Sequence, residues 1–191
     1  MIRNLVSAVA EGYIAPRRSV RRLLDGRHGI QTALLMLALA YLVQAVLTIL
    51  FISSGIGIAG HLLAIVQQVV VFFVLAALIF GLGRLAGGKG TMEGAQLVVA
   101  WHALVVSVIS PLAIGVSSFA YRAEVGSAGG MSAGLGLLAF VYVAVSFWLM
   151  ANFVAELHGF RSAWGVLGAL VGLTFACAIL LASIIGALSP A

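Results

Sequence analysis

A chain of 191 residues that is 63% hydrophobic and only 8% charged is not the sequence of a water-soluble domain. Soluble domains carry about 25% charged residues, and a chain of this size has too little interior to hide so much apolar surface. The net charge of +5 raises nucleic acid as a partner, but six of the ten Lys and Arg residues precede residue 28, beside the first apolar run, which points to a membrane surface instead.

Residues 1–28 read as a basic interfacial segment. Ile2, Leu5, Val6, Val9 and Tyr13 recur at helical spacing, opposite Arg3, Asn4, Ser7 and Glu11. Pro16 suits the first turn of a second helix. There Arg17, Arg18, Arg21 and Arg22 fall on one face and Val20, Leu23 and Leu24 on the other. The pattern predicts one or two short amphipathic helices on the membrane, with the four arginines in contact with anionic lipid headgroups. Each arginine near such a surface contributes about 1 kcal/mol.

Residues 29–188 read as a transmembrane domain with spans at about 30–52, 62–82, 95–119, 133–155 and 163–188. Each is near the ~20 apolar residues needed to cross ~30 Å of hydrocarbon. The breaks SSGIGIAG, GGKGTMEG, AYRAEVGSAGG and ELHGFRS are rich in Gly, Ser or charge, as connectors are. The first run is too long, and too far from residue 1, for a cleavable signal peptide. Arg3, Arg17, Arg18, Arg21, Arg22 and Arg27 precede the first span, Arg84 and Lys89 lie in the second loop and Arg161 in the fourth, against Arg122 alone in the third. With five crossings, the positive-inside rule puts the N-terminus in the cytoplasm and the C-terminus outside. The fold class expected is all-α, a polytopic bundle of five transmembrane helices with an N-terminal amphipathic basic interfacial helix.

The stretch GRLAGGKGTMEG, residues 83–94, resembles a damaged nucleotide-binding P-loop: Gly83, four residues, Gly88, then Lys89. Gly90 stands where the magnesium-binding hydroxyl belongs, and nothing else in the chain supplies a parallel sheet. The stretch reads instead as a helix-to-helix turn on the cytoplasmic side. Gly87, Gly88 and Gly90 would permit the φ > 0 stop, and Arg84 and Lys89 would anchor the end of the second span. Thr91 would cap the third, with Glu93 in its first turn.

Polar residues inside spans are costly and attract functional readings. His102, Asn152 and Glu156 fall at similar depth in the cytoplasmic leaflet, and two readings stand: a small polar pocket, or interhelical hydrogen bonding. Gln44 and Gln67 or Gln68 match in depth and would pair the first two spans. Gly165, Gly168 and Gly172 form a small-residue stripe on the fifth span, extended by Ala176; whether it packs within the bundle or against another subunit is left open. Pro111 would kink the third span. No carboxylates lie close enough for general acid/base work. None of His28, His61, His102 and His158 stands four residues from another, and Cys177 is isolated, so no metal or catalytic set is expected. No cofactor, nucleotide or nucleic acid is expected either.

Three stretches, APRRSVRRLLDG, AGGKGTMEGAQLVVAW and ANFVAELHGFRSAWGVLGAL, resemble the bacterial branch of the Yip-one domain (Ypt/Rab-interacting protein) family, over about residues 12–188. That resemblance implies five spans, a cytoplasmic N-terminus and a lumenal C-terminus, in agreement with the charge count. Eukaryotic members carry a long polar N-terminal region where this chain has only EGYIAPRR and its basic neighbours, so Rab binding is not carried over. Nine arginines against one lysine, with a high alanine content, suit a GC-rich bacterial genome, and the location expected is a bacterial inner membrane. The function expected is a non-enzymatic membrane-organising or partner-binding component that contacts anionic lipids, and homo-oligomers or other membrane proteins are candidate partners. The alternative is a small transporter or lipid-handling protein using the pocket of His102, Asn152 and Glu156.

Overall fold

The computed structural model describes residues 2–26, 28–52, 58–110 and 133–188. Among these residues there are seven helices and no strand: α1 (Ile2–Ile14), α2 (Pro16–Asp25), α3 (Ile30–Ile52), α4 (Ile58–Leu85), α5 (Met92–Ser107), α6 (Ala133–His158) and α7 (Ala163–Leu188). Four of them, α3, α4, α6 and α7, are long and apolar enough to cross a membrane. The protein is an all-α, multi-pass membrane bundle. The 16 residues of α5 reach about 24 Å. The remainder of the third expected span, with Pro111, lies outside the described residues.

The bounds of α3 and α7 match the apolar runs, whereas α4 and α6 stay helical past theirs, to Leu85 and His158. Regular helix ends in α5 before Pro111: the Val108 and Ile109 amides turn to the carbonyls three residues back, at 3.3 and 3.0 Å. This tightening is common at helix ends.

The core is organised around α5, which is buried from Gly94 to Trp101 and again from Leu104 to Ser107. Helices α3, α4 and α6 all pack on it. Sequence neighbours α3 and α4 therefore meet α5 rather than each other. The pairing expected of Gln44 with Gln67 or Gln68 does not form: Gln67 is exposed, and no hydrogen bond joins these amides. Outward-facing Leu63, Val70, Val74, Phe175, Ile179 and Leu180 on α4 and α7 suit a solvent of lipid. Helix α7 packs chiefly on α6.

Helices α1 and α2 form a hairpin seated in the angle between α5 and α6, with α2 packed on α6 and both helices touching α5. Leu24 borders Gly94, Ser19 is bonded to Trp101, and a Cβ on Gly12 would stand 3.0 Å from a Val105 methyl. These contacts move down α5 as they move back along the chain, over about 16 Å of helix. Val20, with no exposed surface, is the anchor of α2, and the Trp101 indole N–H donates to the Ser19 hydroxyl at 3.1 Å. Tyr13 donates from its phenol to the Val105 carbonyl. Burial, with a smaller contribution from Tyr142, pushes that phenol up to about 12.

Candidate functional site

The chemistry-bearing residues gather at one end of the bundle, where α4 and α6 finish, α5 begins and the α1–α2 hairpin is seated. Both finishing helices use the same device. At the end of α4, Gly87 takes φ 82°, the Gly88 amide donates to the Gly83 carbonyl at 2.8 Å and the Gly87 amide to Arg84 at 3.0 Å. At the end of α6, Gly159 takes φ 71°, with Phe160 donating to Ala155 at 2.8 Å and Gly159 to Glu156 at 3.2 Å. Each is a Schellman cap, which needs a left-handed residue and so favours glycine.

The two caps interlock through His158, which is 2% exposed. Its carbonyl, left free by the helix end, accepts the Lys89 amide at 3.1 Å. Its ring Nδ1 accepts the Gly90 amide at 3.3 Å, and its Nε2 faces the Ile79 carbonyl at 3.1 Å. An amide can only donate and a carbonyl can only accept, so this ring is neutral with its proton on Nε2. Phe160 stacks on it at 5.4 Å. A Cβ on Gly83, Gly88 or Gly90 would come within 2.1, 2.5 or 2.8 Å of His158 atoms.

This arrangement corrects the reading of the glycines. Only Gly87 needs φ > 0 in this turn; Gly88 and Gly90 are there because His158 occupies the space a side chain would fill. It also defines the loop electrostatically. The amides of Gly88, Lys89 and Gly90, which a phosphate loop would aim at its ligand, are all donated inside the protein. Thr91 is the N-cap of α5, its hydroxyl accepting from the Gly94 amide at 3.1 Å, and Glu93 sits in the first turn.

Around this knot lie the arginines of α2. Arg21 meets Glu156 at 2.6 Å and Arg22 meets Glu11 at 2.6 Å, so two of the four expected headgroup contacts already have carboxylate partners within the chain. The hydrogen bond to Glu156, reinforced by its charge, holds the Arg21 guanidinium more firmly protonated. Arg17 reaches the Arg161 carbonyl at 3.5 Å, and Arg18 is exposed.

Of the two readings of His102, Asn152 and Glu156, a shared pocket is not what the structure forms: the three are not brought together. His102 Nε2 lies 3.1 Å from the Ser146 carbonyl and 3.2 Å from its hydroxyl, linking α5 to α6. Asn152 donates to the Trp148 carbonyl of its own helix at 2.8 Å, and Glu156 belongs to Arg21. None of the three lines a described cavity. The physical reason is that each finds a nearer partner than the others, and buried polar groups settle on the bond that satisfies them.

Gly165, Gly168 and Gly172 are likewise not packed within the bundle: a Cβ on any of them would meet nothing within 4 Å. Gly165 and Gly172 line an apolar groove of about 730 Å³ between α4 and α7. His158, which sequence reasoning leaves wetted at the interface just beyond Glu156, is instead buried at the centre of the site. The signal was available in His158–Gly159, a helix-ending pair, but its partner turn lies about 70 residues earlier, beyond the reach of local pattern.

No curated protein and no solved structure matches the chain. A family model, the Yip1 domain, matches residues 12–185, which takes in α2, the interlocked caps and most of α7. The chain therefore belongs to the Yip1 domain family.

Proposed function

We propose that this protein is a non-enzymatic membrane-organising and partner-binding component of a bacterial inner membrane, with its N-terminus and basic end in the cytoplasm and its C-terminus outside. One observation carries the reading: Arg17, Arg18, Arg21, Arg22, Arg84, Lys89 and Arg161 are gathered at one end, on elements fixed by buried contacts. A fixed basic surface at that depth suits anionic headgroups of the cytoplasmic leaflet and the acidic surface of a partner. Internal bonding of His102, Asn152, Glu156 and His158 supports structural roles for these residues. The internally donated amides of Gly88–Gly90 support the expectation that no nucleotide is bound.

The test is cross-linking in intact cells followed by purification of the full chain in mild detergent, beside an Arg17→Gln/Arg18→Gln variant. A discrete partner in reproducible ratio, reduced in the variant, is the expected result. A monodisperse protein without a reproducible partner, together with unchanged membrane composition on deletion, overturns the reading. The alternative of transport through a pocket of His102, Asn152 and Glu156 is tested by flux into proteoliposomes. Flux lost in Glu156→Gln and His102→Ala would favour it; no flux in any version removes it.

A further inference from the structure

The groove between α4 and α7 is a cavity without an occupant from the described chain. Its walls are Leu78 and Leu82 of α4 and Gly165, Ala169, Gly172 and Ala176 of α7. From Gly165 to Ala176 the α7 wall measures about 16 Å, which is close to half of the ~30 Å hydrocarbon core and so to the depth of one leaflet. Among the described residues no acidic one lines it.

Its chemistry is polarised along that length. At one end the lining reaches Gly83, Ala86, Phe160 and Ser162, which bracket the exposed Arg84 and Arg161 in sequence. The Arg17 guanidinium comes to the Arg161 carbonyl at 3.5 Å, adding a third cation there. Away from this rim the groove is walled by aliphatic side chains and bare glycine backbone. An apolar slot one leaflet deep, with the exposed Arg84 and Arg161 next in sequence to the residues at its end, is complementary to an amphiphile with an anionic head.

We propose that this groove seats an acyl chain of one anionic phospholipid, with the phosphate held at the rim by Arg84 and Arg161. A second copy of the chain fits less well. Two copies crossing the bilayer in the same sense would bring their arginine rims to one depth, and the groove offers no carboxylate to offset the repulsion. The site stands whether or not a protein partner is bound elsewhere.

The experiment reconstitutes the full chain in nanodiscs of phosphatidylcholine with one-tenth phosphatidylglycerol, extracts it into mild detergent, and counts retained lipid by native mass spectrometry. The expected result is one retained phosphatidylglycerol, enriched on the order of tenfold over its share of the bilayer. In Arg84→Gln/Arg161→Gln, enrichment should fall to near parity while one lipid of either kind is still held. In Gly165→Leu/Gly172→Leu, which fills the groove from positions where a Cβ meets nothing within 4 Å, retention should be lost from a protein that still elutes as a single species. Three outcomes overturn the proposal: no retained lipid, retention of the two lipids by the unaltered chain in proportion to their shares of the bilayer, or unchanged retention in the filled variant. A dimer abolished by filling the groove, with no lipid retained by the unaltered chain, would assign the groove to a second copy instead.

Discussion

Gly83→Ala isolates the contact that holds α4 to the end of α6. The added Cβ would lie 2.1 Å from His158 Nε2, 2.2 Å from Cε1 and 2.5 Å from Cδ2, where carbon atoms at rest stand about 3.5–4.0 Å apart. The ring would have to move by more than an ångström, yet it is pinned by the Gly90 amide and the Ile79 carbonyl. Overpacking costs about 1–3 kcal/mol, and each lost ring bond about 0.5–1.5 kcal/mol. Against this stands the better helix propensity of alanine, roughly 1 kcal/mol. With both ring bonds lost the net loss is on the order of 1–5 kcal/mol, a fall in Tm of about 2–4 °C per kcal/mol for a chain of this size. The assay is thermal unfolding of the purified protein in mild detergent. Gly81→Ala, two residues away in α4, is the internal control. A Cβ there meets nothing within 4 Å, so it should be neutral or stabilising by up to ~1 kcal/mol. In a His158→Ala background, Gly83→Ala should lose its penalty and behave like Gly81→Ala, a coupling read by the double-mutant cycle. If Gly83→Ala already matches Gly81→Ala in the unaltered chain, the cradle reasoning is wrong.

Three further expectations concern the hairpin and the second cap. Ser19→Ala leaves the Trp101 indole N–H buried without its 3.1 Å acceptor, which should cost about 1–3 kcal/mol and appear as a lowered Tm; an unchanged Tm means the hairpin does not depend on that bond. Gly159→Ala forces a side chain to adopt φ 71° and should cost about 1–2 kcal/mol, whereas Gly159→Asn should cost less, since asparagine tolerates that region. Tyr13 titrates at 10 when free and at about 12 when folded. The folded state therefore favours the protonated phenol. Its contribution is full below pH 10 and is lost as pH rises from 10 towards 12, where the unfolded chain releases the proton first. Tyr13→Phe should flatten that alkaline decline in Tm, and a decline of equal steepness in both proteins would assign it to other groups.

Much of the fold was legible because the bilayer imposes a coarse rule. Twenty apolar residues in a row have few destinations, so α3 and α7 fall where their runs do. Helices α4 and α6 were read short for a definite reason: Arg84, Glu156 and His158 end the apolar run but not the helix, which continues to its glycine cap. Hydropathy reports where lipid stops, and capping reports where helix stops. Thr91 was readable as a cap because its partner, the Gly94 amide, is three residues away. Gly88 and Gly90 were misread because the group that requires them, His158, comes from another helix. The glutamine pairing failed in the same way, since adjacency of α3 and α4 in sequence is overridden by α5 between them. For His102, Asn152 and Glu156, similar depth was legible but direction was not. Each turned to its nearest satisfying partner, Ser146, the Trp148 carbonyl or Arg21.

The most direct test concerns which side of the membrane the basic end faces. With Cys177→Ala as background, single cysteines placed by Arg18→Cys, Lys89→Cys and Ser162→Cys report on three exposed positions around that end. A membrane-impermeant thiol reagent is applied to intact cells and to inside-out vesicles. All three positions should be protected in cells and labelled in the vesicles, as a basic surface held at the cytoplasmic leaflet requires. Labelling of any of the three in intact cells, with protection in the vesicles, would contradict it.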